Sequence, residues 1–99
     1  MKITPQELKI IKQIFAEFLD TSKFEVYLFG SRINDTAHKS SDLDVLIRGE
    51  QEVPGSILEY LREAFEKSAL PYKMDVLEFH RISPAFREKI FKQCFKLEF

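Results

Sequence analysis

The chain has a single cysteine, Cys94, in 99 residues. That excludes an internal disulfide framework and a multi-thiolate metal site, and it suits a reducing compartment. No apolar run approaches the roughly 20 residues needed to span a bilayer. The first residues, MKITPQELKI, lack the apolar h-region of a signal peptide. The expectation is a cytoplasmic protein with no membrane role. Excess charge is also missing. Fifteen basic and sixteen acidic residues leave a net charge of -1, so there is no electrostatic footprint for nucleic acid or anionic membrane. There are no repeats and no linker-like stretch, and a chain this short holds one domain, residues 1–99. Its core must be small and its stability margin thin.

What is present is ordinary in bulk and informative in order. The composition, 44% hydrophobic and 31% charged, is that of a globular domain. Ten phenylalanines furnish the core and allow an apolar patch for a partner, in a homo- or hetero-oligomer. Thr4-Pro5-Gln6-Glu7 reads as a capping box with proline at the first helical position. Ile10, Ile11, Ile14, Phe15 and Phe18 follow at helical spacing, predicting a helix over Pro5–Leu19. FEVYLF, Phe24–Phe29, is a strand stopped by Gly30, and Ser31–Asp35 suits a short helical turn. Thr36–Ser41 is loop-like, and Asp42–Arg48 is the second strand. Pro54 opens a helix carrying Ile57, Leu58, Leu61 and Phe65 on one face. Lys73–Phe79 is the third strand. Ser83-Pro84 starts a last helix that ends near Cys94, and FKLEF can add a short edge strand. The order α-β-β-α-β-α predicts an α/β (α+β) fold, a small mixed sheet flanked by helices.

Side chains alternate along a strand, so Asp42, Asp44 and Leu46 share one face of the second strand. Asp75 shares a face of the third strand with Leu77 and Phe79. A helix joins these two strands, as expected of a parallel pair. If they are neighbours, three carboxylates gather at one sheet end. If the first strand runs antiparallel to the second, Gly30-Ser31 meets the same cluster. Clustered carboxylates repel, and a hard cation such as Mg²⁺ relieves them while keeping positions open for phosphate. A glycine and a serine at the start of a helical turn suit phosphate. Together they suit a metal-bound nucleoside triphosphate and in-line phosphoryl or nucleotidyl transfer.

Each residue also has a plainer reading. Asp42 and Asp44 are common residue types at strand entries. Asp75 fits an edge position or an ion pair with Lys73 or Arg48. Arg32 fits a phosphate contact or a surface position equally. His38 and His80 have no partner at metal-ligand spacing and read as exposed loop residues. Cys94 reads as core, and Tyr60 and Tyr72 as packing residues.

Gly30-Ser31-Arg32 followed by Ser41-Asp42-Leu43-Asp44 resembles the GS…SDxD signature of the DNA polymerase β-like nucleotidyltransferases. With Met74-Asp75-Val76 and the short chain, it resembles their minimal (MNT) branch, and LPYKMDVLEFHRISPAFREKIFK is similar to the C-terminal half of MNT antitoxins. The resemblance implies a nucleotidyltransferase-like sheet with core order 1-2-3. It implies Asp42, Asp44 and Asp75 as catalytic metal ligands for two Mg²⁺ ions, with Asp75 also a proton acceptor. Gly30, Ser31, Arg32 and Ser41 would bind the nucleotide, ATP or another NTP. The implied partner is a HEPN-domain toxin, with AMP transferred to its hydroxyl. Two alternatives remain open: a fold that neutralises a HEPN partner by contact alone, and transfer to a small molecule or an RNA end. One position departs from the family's usual GSRARG: Asp35 replaces the final glycine. An acidic group there would weaken nucleotide binding if it pointed inward.

Overall fold

Thr4 caps the first helix as the sequence predicts. Its Oγ1 accepts the Glu7 N–H, and Glu7 Oε1 accepts the Thr4 N–H, both at 3.1 Å. In the computed structural model, which describes residues 1–36 and 41–99, the elements follow the expected order. They are α1 (Pro5–Phe18), β1 (Phe24–Phe29), β2 (Leu43–Gly49), α2 (Gly55–Glu66), β3 (Met74–Glu78), α3 (Pro84–Lys92) and a two-residue β4 (Phe95–Lys96). The differences lie at the ends. Leu19 has extended backbone and caps α1. Asp42 stands just before β2, and Pro54 is the cap of α2 rather than its first residue. Phe79, expected in β3, begins a 3-10 turn over Phe79–Arg81. There the Glu78 carboxylate accepts the His80 N–H and draws the chain out of the sheet. α3 stops at Lys92, two residues short of Cys94.

The sheet order is β3-β2-β1-β4, so the expected 1-2-3 core holds and β4 adds to its outer side. β1 and β2 are antiparallel, with Phe29 opposite Asp44. β2 and β3 are parallel, with Asp44 opposite Asp75. α2 makes the crossover that a parallel pair requires.

Alternation sorts the side chains as predicted. Leu43, Val45 and Ile47 face α1 and α2, where they pack with Ile11, Phe15 and Leu61. The Phe15 and Phe65 rings meet edge-on, 5.2 Å apart. Each such fully buried side chain contributes about 1.5–3 kcal/mol. The opposite face carries Tyr27, Phe29 and Leu46 beneath Ile90 of α3. Two helices thus cover one face and a single short helix the other. Glu78 is 3% exposed, a position that apolar patterning does not reveal. It is satisfied by the Val53 and His80 N–H groups and the His80 ring. Among the described residues no helix is long and apolar enough to cross a membrane.

Candidate active site

The part of the sheet that α3 leaves uncovered is a cleft of about 630 Å³. Asp44 and Asp75 form its floor, side by side on adjacent strands. Asp44 is half-buried. Its carboxyl is pushed up to about 6, first by burial and then by the charges of Asp75 and Asp42. The third aspartate is therefore within electrostatic reach, although Asp42 itself is exposed and does not line the cleft.

Gly30 belongs to this floor for a steric reason. A Cβ there would meet Asp44 Oδ2 at a distance no real Cβ tolerates, with Cγ at 3.1 Å. Its φ of +85° also lies where side chains are strained. The glycine stops β1, turns the chain and leaves room for the carboxylate. From it a helical turn runs as expected: the Gly30 carbonyl accepts the Ile33 and Asn34 N–H groups at 3.0 and 3.1 Å. The first N–H groups of such a turn have no partner within it. Ser31 is at this start. Asn34 lines the cleft, and its Oδ1 accepts the Thr36 N–H and hydroxyl.

Arg32 is not the surface residue that one reading allowed. It is 6% exposed. Its Nε–H donates to the Ser41 carbonyl at 2.7 Å and its Nη1–H to the Lys2 carbonyl at 3.0 Å. The guanidinium lies 3.8 Å from the centre of the Tyr72 ring. Tyr72, a packing residue as read, donates its hydroxyl to Glu7 Oε1 at 3.0 Å. Its own ionisation is suppressed by burial and by that bond. Arg32 thus links the cap of α1, the entry to β3 and the residue preceding Asp42. Ser41 takes part through its carbonyl, and neither Ser41 nor Arg32 lines the cleft.

Asp35 has φ of 62°, the left-handed conformation that the family's glycine would adopt and that Asp tolerates. Its carboxylate accepts from the Met1 amino group, which holds it below the usual carboxylate range, and it does not line the cleft. The feared fourth acid is thus turned elsewhere. Asp75 lies on an edge strand, as its plain reading allows, but it is in no ion pair with Lys73 or Arg48 among the described residues. His80 sits in the 3-10 turn, against Glu78, rather than in a loop. His38 lies outside the described residues. Cys94 packs against the α3 cluster, and burial raises its thiol.

The opposite wall of the cleft was not foreseen. It is formed by Phe86, Lys89 and Lys92 of α3 and by Gln93, which caps the helix end. Phe86, Lys89 and Gln93 recur at helical spacing beside buried Ile90, but in sequence this stripe looks like any solvated helix edge.

The donors on the floor are all carboxylate oxygens, and a divalent cation would offset the repulsion that opposes ionisation of Asp44. That chemistry fits Mg²⁺. No three acids, histidines or cysteines among the described residues form a ready cage. Mg²⁺ does not require one, because it is commonly held by one or two carboxylates together with substrate phosphates.

The family model for a nucleotidyltransferase domain matches residues 8–97. The chain belongs to the nucleotidyltransferase domain family. The nucleotidyltransferase is 37% identical over 92 residues to the "Probable protein adenylyltransferase MntA" of Haemophilus influenzae, covering 93% of this chain and 79% of that one. A crystal structure of a toxin–antitoxin with AMP-PNP superposes with a TM-score of 0.76. It covers 92% of the nucleotidyltransferase and 72% of that chain at 22% identity. A Shewanella oneidensis structure of a tri-AMPylated HEPN toxin in complex with MNT antitoxin superposes at 0.66. There the coverage is 92% and 68%, at 17% identity. At those identities the structural likeness is one of fold. Together with the MntA relative it places this nucleotidyltransferase in the minimal branch.

Proposed function

We propose that this chain transfers AMP, or another NMP, from a magnesium-bound NTP to a hydroxyl of a partner protein of the HEPN type. The observation that carries the reading is the Asp44–Asp75 pair on adjacent strands, fitted against Gly30 at the mouth of a helical turn. The name of the MntA relative and the toxin–antitoxin complexes among the structural neighbours support the acceptor.

Asp42, Asp44 and Asp75 would hold the cation. When bound, Mg²⁺ supplies charge neutralisation and Lewis-acid polarisation of the phosphoryl oxygens. Gly30 and Ser31 receive the triphosphate at the start of the turn, where backbone N–H groups favour anions. Arg32 and Ser41 act from behind by fixing the segment that carries Asp42. The acceptor hydroxyl oxygen attacks the α-phosphorus in line, the bond to the bridging oxygen breaks, and pyrophosphate leaves. The hydroxyl proton passes to the Asp75 carboxylate. The whole chain, 1–99, works as one catalytic domain.

A second reading is neutralisation by contact. It is favoured by the exposed aromatic residues Tyr60, Phe95 and Phe99. Incubation with labelled ATP, Mg²⁺ and the HEPN partner separates the two. Label should appear on the partner with the wild type and vanish with Asp42→Asn/Asp44→Asn, with folding retained by circular dichroism. Full neutralisation by an unlabelling double variant would establish the contact reading instead.

A further inference from the structure

We propose that α3 supplies the phosphate-binding wall of the cleft, with Lys89 and Lys92 taking the terminal phosphates of the nucleotide. The proposal rests on the nucleotidyltransferase reading of the floor and adds the residues that face it.

All the charge on the floor is negative, from Asp44 and Asp75, while both lysines line the same 630 Å³ space from the helix side. A metal-bound triphosphate is the ligand whose two sides match. The cation meets the carboxylates, and the phosphate oxygens not taken by it face outward toward ammonium groups. The wall is well placed to do this. Ile90, one residue from Lys89, is buried against Tyr27, Phe29 and Leu46, which fixes the helix on the sheet. The N-terminal end of the wall is held by Phe86, edge-on to Phe29 at 6.2 Å.

The two lysines are also uncommitted. Lys67 and Lys96 pair with Glu63 and Glu25 at 2.7 and 3.0 Å. Among the described residues neither Lys89 nor Lys92 has a carboxylate at ion-pair distance. Both are in the last turn of α3, so a plainer role exists: a cation there complements the helix dipole. That role is indifferent to how many phosphates a ligand carries, which decides the test.

Dissociation constants for Mg-ATP and Mg-AMP are measured by titration calorimetry on the whole chain. Lys89→Met and Lys92→Met keep the aliphatic stem and helix propensity. Each should weaken Mg-ATP by about tenfold, as a lost charge-assisted contact does. Each should leave Mg-AMP within about twofold, well under the 1.4 kcal/mol that a tenfold change represents. Lys89→Arg should restore most of the ATP affinity. Lys67→Met, at the cap that ends α2, controls for the loss of one positive charge and should change neither constant. Wild type that binds Mg-ATP while the methionine variants match it overturns the lysine assignment alone. Equal weakening of ATP and AMP overturns it too. Wild type that fails to bind Mg-ATP overturns the nucleotide reading beneath it.

Discussion

Asp44 stands between two demands, that of a stable sheet and that of the proposed metal site. Its carboxylate is half-buried beside Asp75, and its proton is held to about pH 6 against an ordinary value of 3.8. Between those values the folded state binds more protons than the unfolded chain. Stability therefore falls as pH rises through that window and stays reduced above it. In the metal-free protein Asp44→Asn should remove this cost. Allowing for solvent screening of a half-exposed group, the gain is on the order of 1–2 kcal/mol at pH 7.5. The variant should melt roughly 5 °C higher or more in EDTA, and the difference should shrink toward pH 4. Thermal melts across that range check it, and equal melting of the two proteins at pH 7.5 would refute it. The aspartates themselves were legible in the sequence because period-two alternation aligns them. The fit of Asp44 over Gly30 was not, since it depends on the antiparallel register that sets Phe29 opposite Asp44.

At the scale of elements, caps and periodicity identified the three α-helices and the three core strands among the described residues, but not the 3-10 turn at Phe79–Arg81. Exact boundaries were less legible and shifted by a residue or two, as at Phe79, where the adjacent Glu78 carboxylate caps a 3-10 turn. Arg32 shows the same limit in a loop. Its nearest sequence neighbours, Ser31 and Ile33, give no sign that it is buried, and residues distant in sequence, Tyr72, Lys2 and Ser41, pack or bond against it. A lysine can neither stack flat on the ring nor donate in two fixed directions. Arg32→Lys should therefore behave like Arg32→Ala, losing about 1–3 kcal/mol as the partly buried bonds to the Ser41 and Lys2 carbonyls are lost. Urea denaturation reads the loss directly. A lysine variant with wild-type stability would show that the guanidinium is not the element holding these segments together.

Across the whole molecule the core is divided unequally. Among the described residues, fifteen buried side chains form the cluster under α1 and α2, and four form the one under α3. A 99-residue chain has a total stability of about 5–15 kcal/mol. Phe15→Ala, in the large cluster, should cost about 3–5 kcal/mol and lower the global unfolding midpoint. Ile90→Ala should instead loosen α3 before the sheet opens. Its signature is faster hydrogen exchange of α3 amides at low denaturant, with β2 amides unchanged. Exchange that rises equally in both elements would mean that α3 and the sheet open as one unit. The wall of the cleft is thus the less strongly anchored part of the fold. Nothing in the sequence announces that asymmetry, because the apolar stripes of α2 and α3 differ in width and not in kind.

The bond from Arg32 to the Ser41 carbonyl also bears on how this protein tolerates change in length. It ties off the connection between β1 and β2 at its neck, while the strand register fixes Phe29 and Asp44. Residues added beyond the neck need not displace the aspartates, and doubling such a loop costs only about 0.6 kcal/mol in closure entropy. An insertion directly after Thr36 should therefore leave the pairing of Phe29 with Asp44 in register, a few residues from the proposed site.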